Sequence, residues 1–183
     1  MNRLSGKVAV VTGGNAGIGE AIAKVFAREG ASVVITGRRQ GELYRVVSDI
    51  VKEQGKVFAV VGSVTDESHV QEAVRQAVQQ FGRLDILINN AGVGDFGRRL
   101  HEIDDTTWAH VLDVNLTGVF RMTRAALPQM LEQGKGVIVN ISSVASLIGL
   151  PTLPVYAASK GALDAMTRAL AVDYAREGIR CNV

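Results

Sequence analysis

The residues with the clearest means for acid/base chemistry lie between Ser142 and Lys160. Ser142 and Ser143 follow an apolar run, Val137 to Ile141, that reads as a buried strand. Tyr156 and Lys160 come after a proline-containing loop and lie one helical turn apart, so on a helix their side chains face the same way. A phenol in isolation titrates near 10, and only about one in a thousand is ionised at neutral pH. A cation one turn away favours the phenolate, which equips Tyr156 to donate and accept a proton at a carbonyl or alcohol. Alone the spacing is a weak signal: three tyrosines and six lysines in 183 residues predict about 0.1 such pairs by accident.

The elements that must position these groups begin at Val8. Val8 to Val11 is a short apolar run that breaks at Thr12-Gly13-Gly14-Asn15-Ala16-Gly17-Ile18-Gly19, and Glu20 to Glu29 then reads as an amphipathic helix ending at Gly30. Strand, glycine turn and helix together make a site for a diphosphate: the glycines let the backbone come close, and the helix start offers unpaired N–H groups. A dinucleotide is the inferred ligand, although the spacing G-x-x-x-G-x-G departs from the G-x-G-x-x-G fingerprint. Ser32 to Thr36 is the second strand. After it, where an acidic residue would hold a ribose 2′-hydroxyl, stand Gly37-Arg38-Arg39. A guanidinium here can pair with a 2′-phosphate, which favours NADP(H) over NAD(H).

Gly41 to Gln54 is helical by composition and closed by Gly55, Val57 to Val61 is a third strand, and Asp66 to Phe81 a third helix closed by Gly82. This alternation predicts an α/β fold, a doubly wound parallel sheet with helices on both faces. Leu84 to Ile88 is the fourth strand, ending in Asn89-Asn90-Ala91-Gly92, with Asn89 expected to be structural. Thr106 to Met130 reads as helical with an interruption near Asp113 to Asn115. An asparagine inside a helical pattern points to a use for its side chain or for a broken turn, such as holding a water. Val137 to Ile141 is the fifth strand and Val144 to Pro154 an apolar wall. Val155 to Arg176 is a helix apolar on more than one face, which predicts a partner subunit, and Ile179 to Val183 begins a sixth strand in which the chain stops.

With 47% hydrophobic and 21% charged residues, the chain reads as one domain over 1–183 with a sizeable core. No run has the length of a signal peptide or a membrane span, so we expect a cytoplasmic protein. A net charge of +2 with no long basic run argues against nucleic acid. The single cysteine, Cys181, excludes a disulfide framework and a cysteine-based metal site; we expect no metal, and His69, His101 and His110 are too scattered to be ligands.

Taken together, Thr12-Gly13, Gly17-Ile18-Gly19, Asn89-Asn90-Ala91-Gly92, Asn115, Ser143, Tyr156 and Lys160 resemble the short-chain dehydrogenase/reductase family, single-domain branch, in order and approximate spacing along essentially the whole chain. The resemblance implies that Tyr156 is the acid/base and that Ser143, chosen over Ser142 by the family's spacing, steadies the substrate oxygen. It also implies that Lys160 holds the nicotinamide ribose and eases ionisation of the tyrosine, and that Asn115 anchors a proton-relay water. Gly13, Asn15, Gly17, Ile18, Gly19, Arg38, Ser63, Val64, Asn90, Ala91 and Gly92, with Tyr156 and Lys160, are the implied cofactor contacts. Ser63 departs from the Asp or Asn that many members carry against the adenine. Members also continue through a substrate lid and a last strand, so the sequence reads as a Rossmann-like domain incomplete at its C-terminus. The expected activity is hydride transfer between NADP(H) and a small carbonyl or secondary alcohol, in a homodimer or homotetramer. The alternatives are a 3-oxoacyl-acyl-carrier-protein reductase in particular, or a non-catalytic dinucleotide-binding regulator.

Overall fold

The structure, a computed structural model, describes residues 2–183. Six strands, β1 (Val8–Thr12), β2 (Ser32–Gly37), β3 (Lys56–Val61), β4 (Ile86–Asn89), β5 (Gly136–Asn140) and β6 (Ile179–Asn182), form one sheet in the order β3-β2-β1-β4-β5-β6. Every neighbouring pair is parallel. The connections carry helices α1 (Gly17–Arg28), α2 (Gln40–Lys52), α3 (Glu67–Phe81), α4 (Asp105–Leu112), α5 (Gly118–Glu132) and α6 (Pro154–Tyr174). This is the doubly wound, Rossmann-like arrangement that the alternation of elements predicts.

Successive strand residues face opposite sides, and β1 shows the result. Val8 and Val10 join a core with α3 and α5, while Ala9 and Val11 join a second core with α1 and α2. Burial on both faces is why the strands read as unbroken apolar runs instead of alternating ones. The cover is uneven: Val137, Val139 and Ile141 on the α1/α2 side are only half-buried, whereas Ile138, Ile179 and Cys181 on the other side are buried. Burial also pushes the Cys181 thiol above its ordinary pKa, so it behaves as a small apolar residue.

Helix ends follow local chemistry. Asp66 caps α3 by accepting from the Ser68 N–H at 2.9 Å, and Gly82 closes it in the left-handed region at φ 78°. At the end of α2 the sequence-based expectation needs correcting. The left-handed residue is Gln54, at φ 62°, and Gly55 follows it with its N–H on the Ile50 carbonyl at 2.9 Å. The interruption expected near residues 113 to 115 is a π-turn, Asp113–Thr117, joining α4 to α5, with the Gly118 N–H on the Asp113 carbonyl.

Candidate active site

Because all strands are parallel, their carboxyl ends lie along one edge, and the order reverses between β1 and β4. A cleft of about 580 Å³ opens there. Of the sequence-predicted cofactor residues, Gly13, Asn15, Ile18, Arg38, Ser63, Val64, Asn90, Ala91 and Gly92 line it; Tyr156 and Lys160 do not, nor do Gly17 and Gly19. The two glycines act from behind. A Cβ at Gly19 would run into the Gly13 carbonyl and the Asn90 amide, so only glycine lets the turn close. Gly17 has open space around it but sits at φ 56°, a conformation that disfavours any side chain.

The crevice is braced by Thr12, which the sequence reading placed in the glycine motif without giving it a role. Thr12 Oγ1 accepts from the N–H groups of Asn90 and Ala91, both at 3.0 Å, and Asn90 Nδ2 donates to the Thr12 carbonyl at 2.9 Å. The ends of β1 and β4 are thereby held at a fixed separation. Asn89 is structural: its Nδ2 donates to Asn140 Oδ1 at 2.8 Å, beneath the same edge. α1 starts at this crevice with Ala16 as its cap residue and no side-chain cap, which leaves its first N–H groups for an anion. The glycine cradle and the uncapped helix together fit a dinucleotide diphosphate.

At the end of β2, Arg38 and Arg39 are both exposed at the cleft. With the Asn15 amide turned so that its oxygen faces the guanidinium, it accepts from Arg39 Nη2 at 2.8 Å and Nε at 3.0 Å. Arg38 has no ion-pair partner among the described residues. Ser63 shares a 2.8 Å hydrogen bond with Thr65 Oγ1 and accepts from the Thr65 N–H at 3.2 Å, so its hydroxyl first serves its own turn.

The residues expected to do the chemistry stand along the same edge. Lys160 is 4% exposed; its Nζ lies 5.6 Å from the centre of the Tyr156 ring and donates to the Ile141 carbonyl at 2.6 Å. Burial holds its ammonium below the ordinary lysine pKa, partly opposed by the charge of Asp164. Ser143 Oγ accepts from the Ala145 N–H at 3.2 Å, starting a short 3₁₀ turn over Val144–Ser146, and its hydroxyl hydrogen stays uncommitted. Ser142 Oγ is buried without a partner among the described residues. Val144, Leu147, Ile148 and Phe96 give the mouth of the site an exposed apolar surface, with the Phe96 and Tyr156 rings 6.2 Å apart.

Asn115 lies wholly buried in the π-turn. Its Oδ1 accepts from the Val93 N–H at 2.8 Å, and its Nδ2 donates to the Val93 carbonyl at 2.8 Å and to Ser159 Oγ at 3.0 Å. Both amide hydrogens are used within the fold. Ser159 and Asp95 are residues that sequence reasoning missed. The Asp95 carboxylate accepts from the Val155 and Tyr156 N–H groups, each at 3.0 Å. The readable signal was negative: Leu153-Pro154 opens a helix with no capping side chain of its own.

The family model for short chain dehydrogenases matches residues 7–183. The chain belongs to the short-chain dehydrogenase family. It is 43% identical over 182 residues to 2-(S)-hydroxypropyl-CoM dehydrogenase 3 of Xanthobacter autotrophicus, covering 99% of this chain and 71% of that one. A 3-oxoacyl-[acyl-carrier-protein] reductase of Thermotoga maritima is 40% identical over 180 residues, with 98% and 73% covered. Among solved structures, the crystal structure of gox2181 superposes with a TM-score of 0.95 at 38% identity, covering 98% of this chain and 71% of that chain. As a short-chain dehydrogenase the protein is an oxidoreductase of alcohol and carbonyl groups, in a family that uses nicotinamide dinucleotides and small-molecule substrates and is commonly oligomeric. Among the described residues no helix is long and apolar enough to cross a membrane, and no group of His, Cys, Asp and Glu could hold a metal ion.

Proposed function

We propose that the protein transfers a hydride between NADP(H) and a small carbonyl or secondary-alcohol substrate in the cytoplasm, with Tyr156 as the acid/base. The observation that carries this reading is the Lys160 ammonium 5.6 Å from the Tyr156 ring, at the same sheet edge as the glycine-turn cleft. When bound, the nicotinamide supplies or accepts the hydride. Tyr156 gives its proton to the substrate oxygen in reduction and takes it back in oxidation. Ser143 directs its free hydroxyl hydrogen at the same oxygen as charge develops there, and one such donor contributes about 3 kcal/mol. Lys160 holds the ribose and favours the ionised phenol. Asn115 anchors the proton-relay water through the backbone of the π-turn, since its own amide hydrogens are occupied by Val93 and Ser159.

The choice of NADP(H) rests on Arg38, a cleft-lining guanidinium without an ion-pair partner among the described residues, and on the absence of a carboxylate from Gly37 to Arg39. Tyr156→Phe in the full-length protein tests the central role. Turnover falls by at least about 1000-fold while NADPH binding stays within about twofold; retained turnover overturns the reading. Arg38→Ala narrows the preference for NADPH over NADH, and a wild-type enzyme that prefers NADH refutes the cofactor assignment.

The similarity to the Thermotoga maritima reductase favours a second reading, a 3-oxoacyl-acyl-carrier-protein reductase. Against it, of the three arginines that could meet an acidic carrier, Arg121 and Arg124 are engaged by Asp113 and Glu67, which leaves only the exposed Arg168 without an ion-pair partner among the described residues. A purely regulatory binding module has no use for a lysine ammonium beside the Tyr156 ring. The exposed Ala158, Ala165, Ala169 and Val172 on α6 support assembly into a homodimer or homotetramer.

A further inference from the structure

The helix that carries Tyr156 cannot cap itself. Leu153 precedes it, and Pro154 in its first turn has no N–H, so Val155 and Tyr156 present the first amides that need an acceptor. Both are met by one carboxylate from 60 residues away: Asp95 Oδ2 takes the Val155 N–H and Oδ1 the Tyr156 N–H, each at 3.0 Å. Asp95 is 4% exposed. The other side of Tyr156 is tied to the same loop by a second route. Its carbonyl accepts from Ser159 Oγ at 2.7 Å, Ser159 Oγ accepts from Asn115 Nδ2 at 3.0 Å, and Asn115 grips both the N–H and the carbonyl of Val93. The backbone of Tyr156 is therefore bound on both sides to the segment Val93 to Asp95. Phe96 comes next, folded over Gly94 so closely that a Cβ there would enter its ring.

We propose that Asp95 is a positioning residue for the reaction, fixing the first turn of α6 so that the phenol of Tyr156 points at the substrate oxygen and the Phe96 ring stays beside it. This rests on the acid/base reading of Tyr156. The two bonds are charge-assisted and lie at a helix N-terminus, where negative charge is favoured. Removing the carboxylate leaves a buried N–H at Val155 and a part-buried one at Tyr156 without an acceptor and loosens the turn from which Tyr156 projects. A displacement of about 1 Å at a reacting group costs about 100-fold in rate.

The test uses the full-length protein with Asp95→Ala and Asp95→Asn, reading kcat, KM, NADPH binding by fluorescence and amide hydrogen exchange. The alanine variant is expected to lose about 10- to 100-fold in kcat, with NADPH affinity within about twofold of wild type. Exchange at Val155 and Tyr156 is expected to quicken at least about tenfold while amides of β1 are unchanged. Asparagine, with one acceptor oxygen, falls between. A wild-type kcat in the alanine variant overturns the proposal, as does a kcat loss matched by an equal loss of NADPH affinity. If the alanine variant fails to fold, a wild-type kcat in the asparagine variant overturns it. Should wild type turn over no carbonyl, the acid/base reading fails by itself and exchange decides: faster exchange confined to the start of α6 supports the anchoring, and unchanged exchange refutes it.

Discussion

Lys160 Nζ donates to the backbone carbonyl of Ile141 at 2.6 Å, joining the end of β5 to the first turns of α6. That carbonyl immediately precedes Ser142-Ser143, so one ammonium sets the spacing between the serine and the tyrosine one turn from it. Lys160→Met is expected to lower turnover by about 100-fold, measured at saturating cofactor. Because burial holds the ammonium below 10.5, wild-type activity falls on the alkaline side before an ordinary lysine would titrate. The sign for stability is the reverse of a salt-bridged lysine. Between the lowered folded value and 10.5 the unfolded chain binds the proton and the folded one does not, so stability rises with pH there. Denaturant titrations across that window check it, and the methionine variant lacks the rise.

Gly17→Ala and Gly19→Ala are expected to fail for different reasons. At Gly17 the new methyl meets nothing but forces a left-handed backbone, costing about 1 to 2 kcal/mol. At Gly19 it strikes the Gly13 carbonyl and the Asn90 amide, displacing the turn that lines the cleft. Binding of the nicotinamide dinucleotide should therefore weaken far more in the Gly19 variant than melting temperatures alone would indicate.

Asn115→Leu leaves the Val93 N–H, the Val93 carbonyl and Ser159 Oγ without their partner in a buried place. The expected loss is about 3 kcal/mol or more of unfolding free energy, read by urea denaturation.

Glu20 joins α1 to α2 through Arg45 at 2.6 Å and pairs with Lys24 of its own helix at 2.7 Å. Hydrogen bonds from Arg45 and then Lys24 lower its pKa from 4.5 to about 2. A depressed carboxylate contributes stability above its unfolded value and loses it as pH falls through the folded one. Glu20→Gln should thus cost about 1 kcal/mol at pH 7, after solvent screening. The difference from wild type should fade between pH 4.5 and about 2.

The features legible in the sequence were the locally encoded ones. The strand, glycine turn and helix from Val8 to Glu29, and the one-turn separation of Tyr156 and Lys160, need no knowledge of the rest of the chain. The break in the helix near Asn115 was visible because asparagine is a poor helix residue, but its form was not, since a π-turn and a kink look alike in one dimension. Thr12 on Asn90, Asn115 on Ser159 and Asp95 on Val155 and Tyr156 bridge 78, 44 and as many as 61 positions. Such pairings arise from the strand order and leave no mark on neighbouring residues. Gln54 shows the same limit on a small scale: the glycine beside it carries the local signal, but the left-handed turn falls one residue earlier.

The π-turn between α4 and α5 takes up one extra residue without rotating α5. Each residue turns an α-helix by about 100°, and the wider turn at Asp113–Thr117 absorbs that rotation, so the same side of α5 still meets the sheet. Met122, Ala126 and Met130 are fully buried in this phasing. Deleting one residue of that segment would let an unbroken α-helix form with those three side chains still facing the core, but it would remove the wider turn from which Asn115 reaches Val93 and Ser159. A shorter, more regular chain would keep its core and lose its tie to the loop after β4.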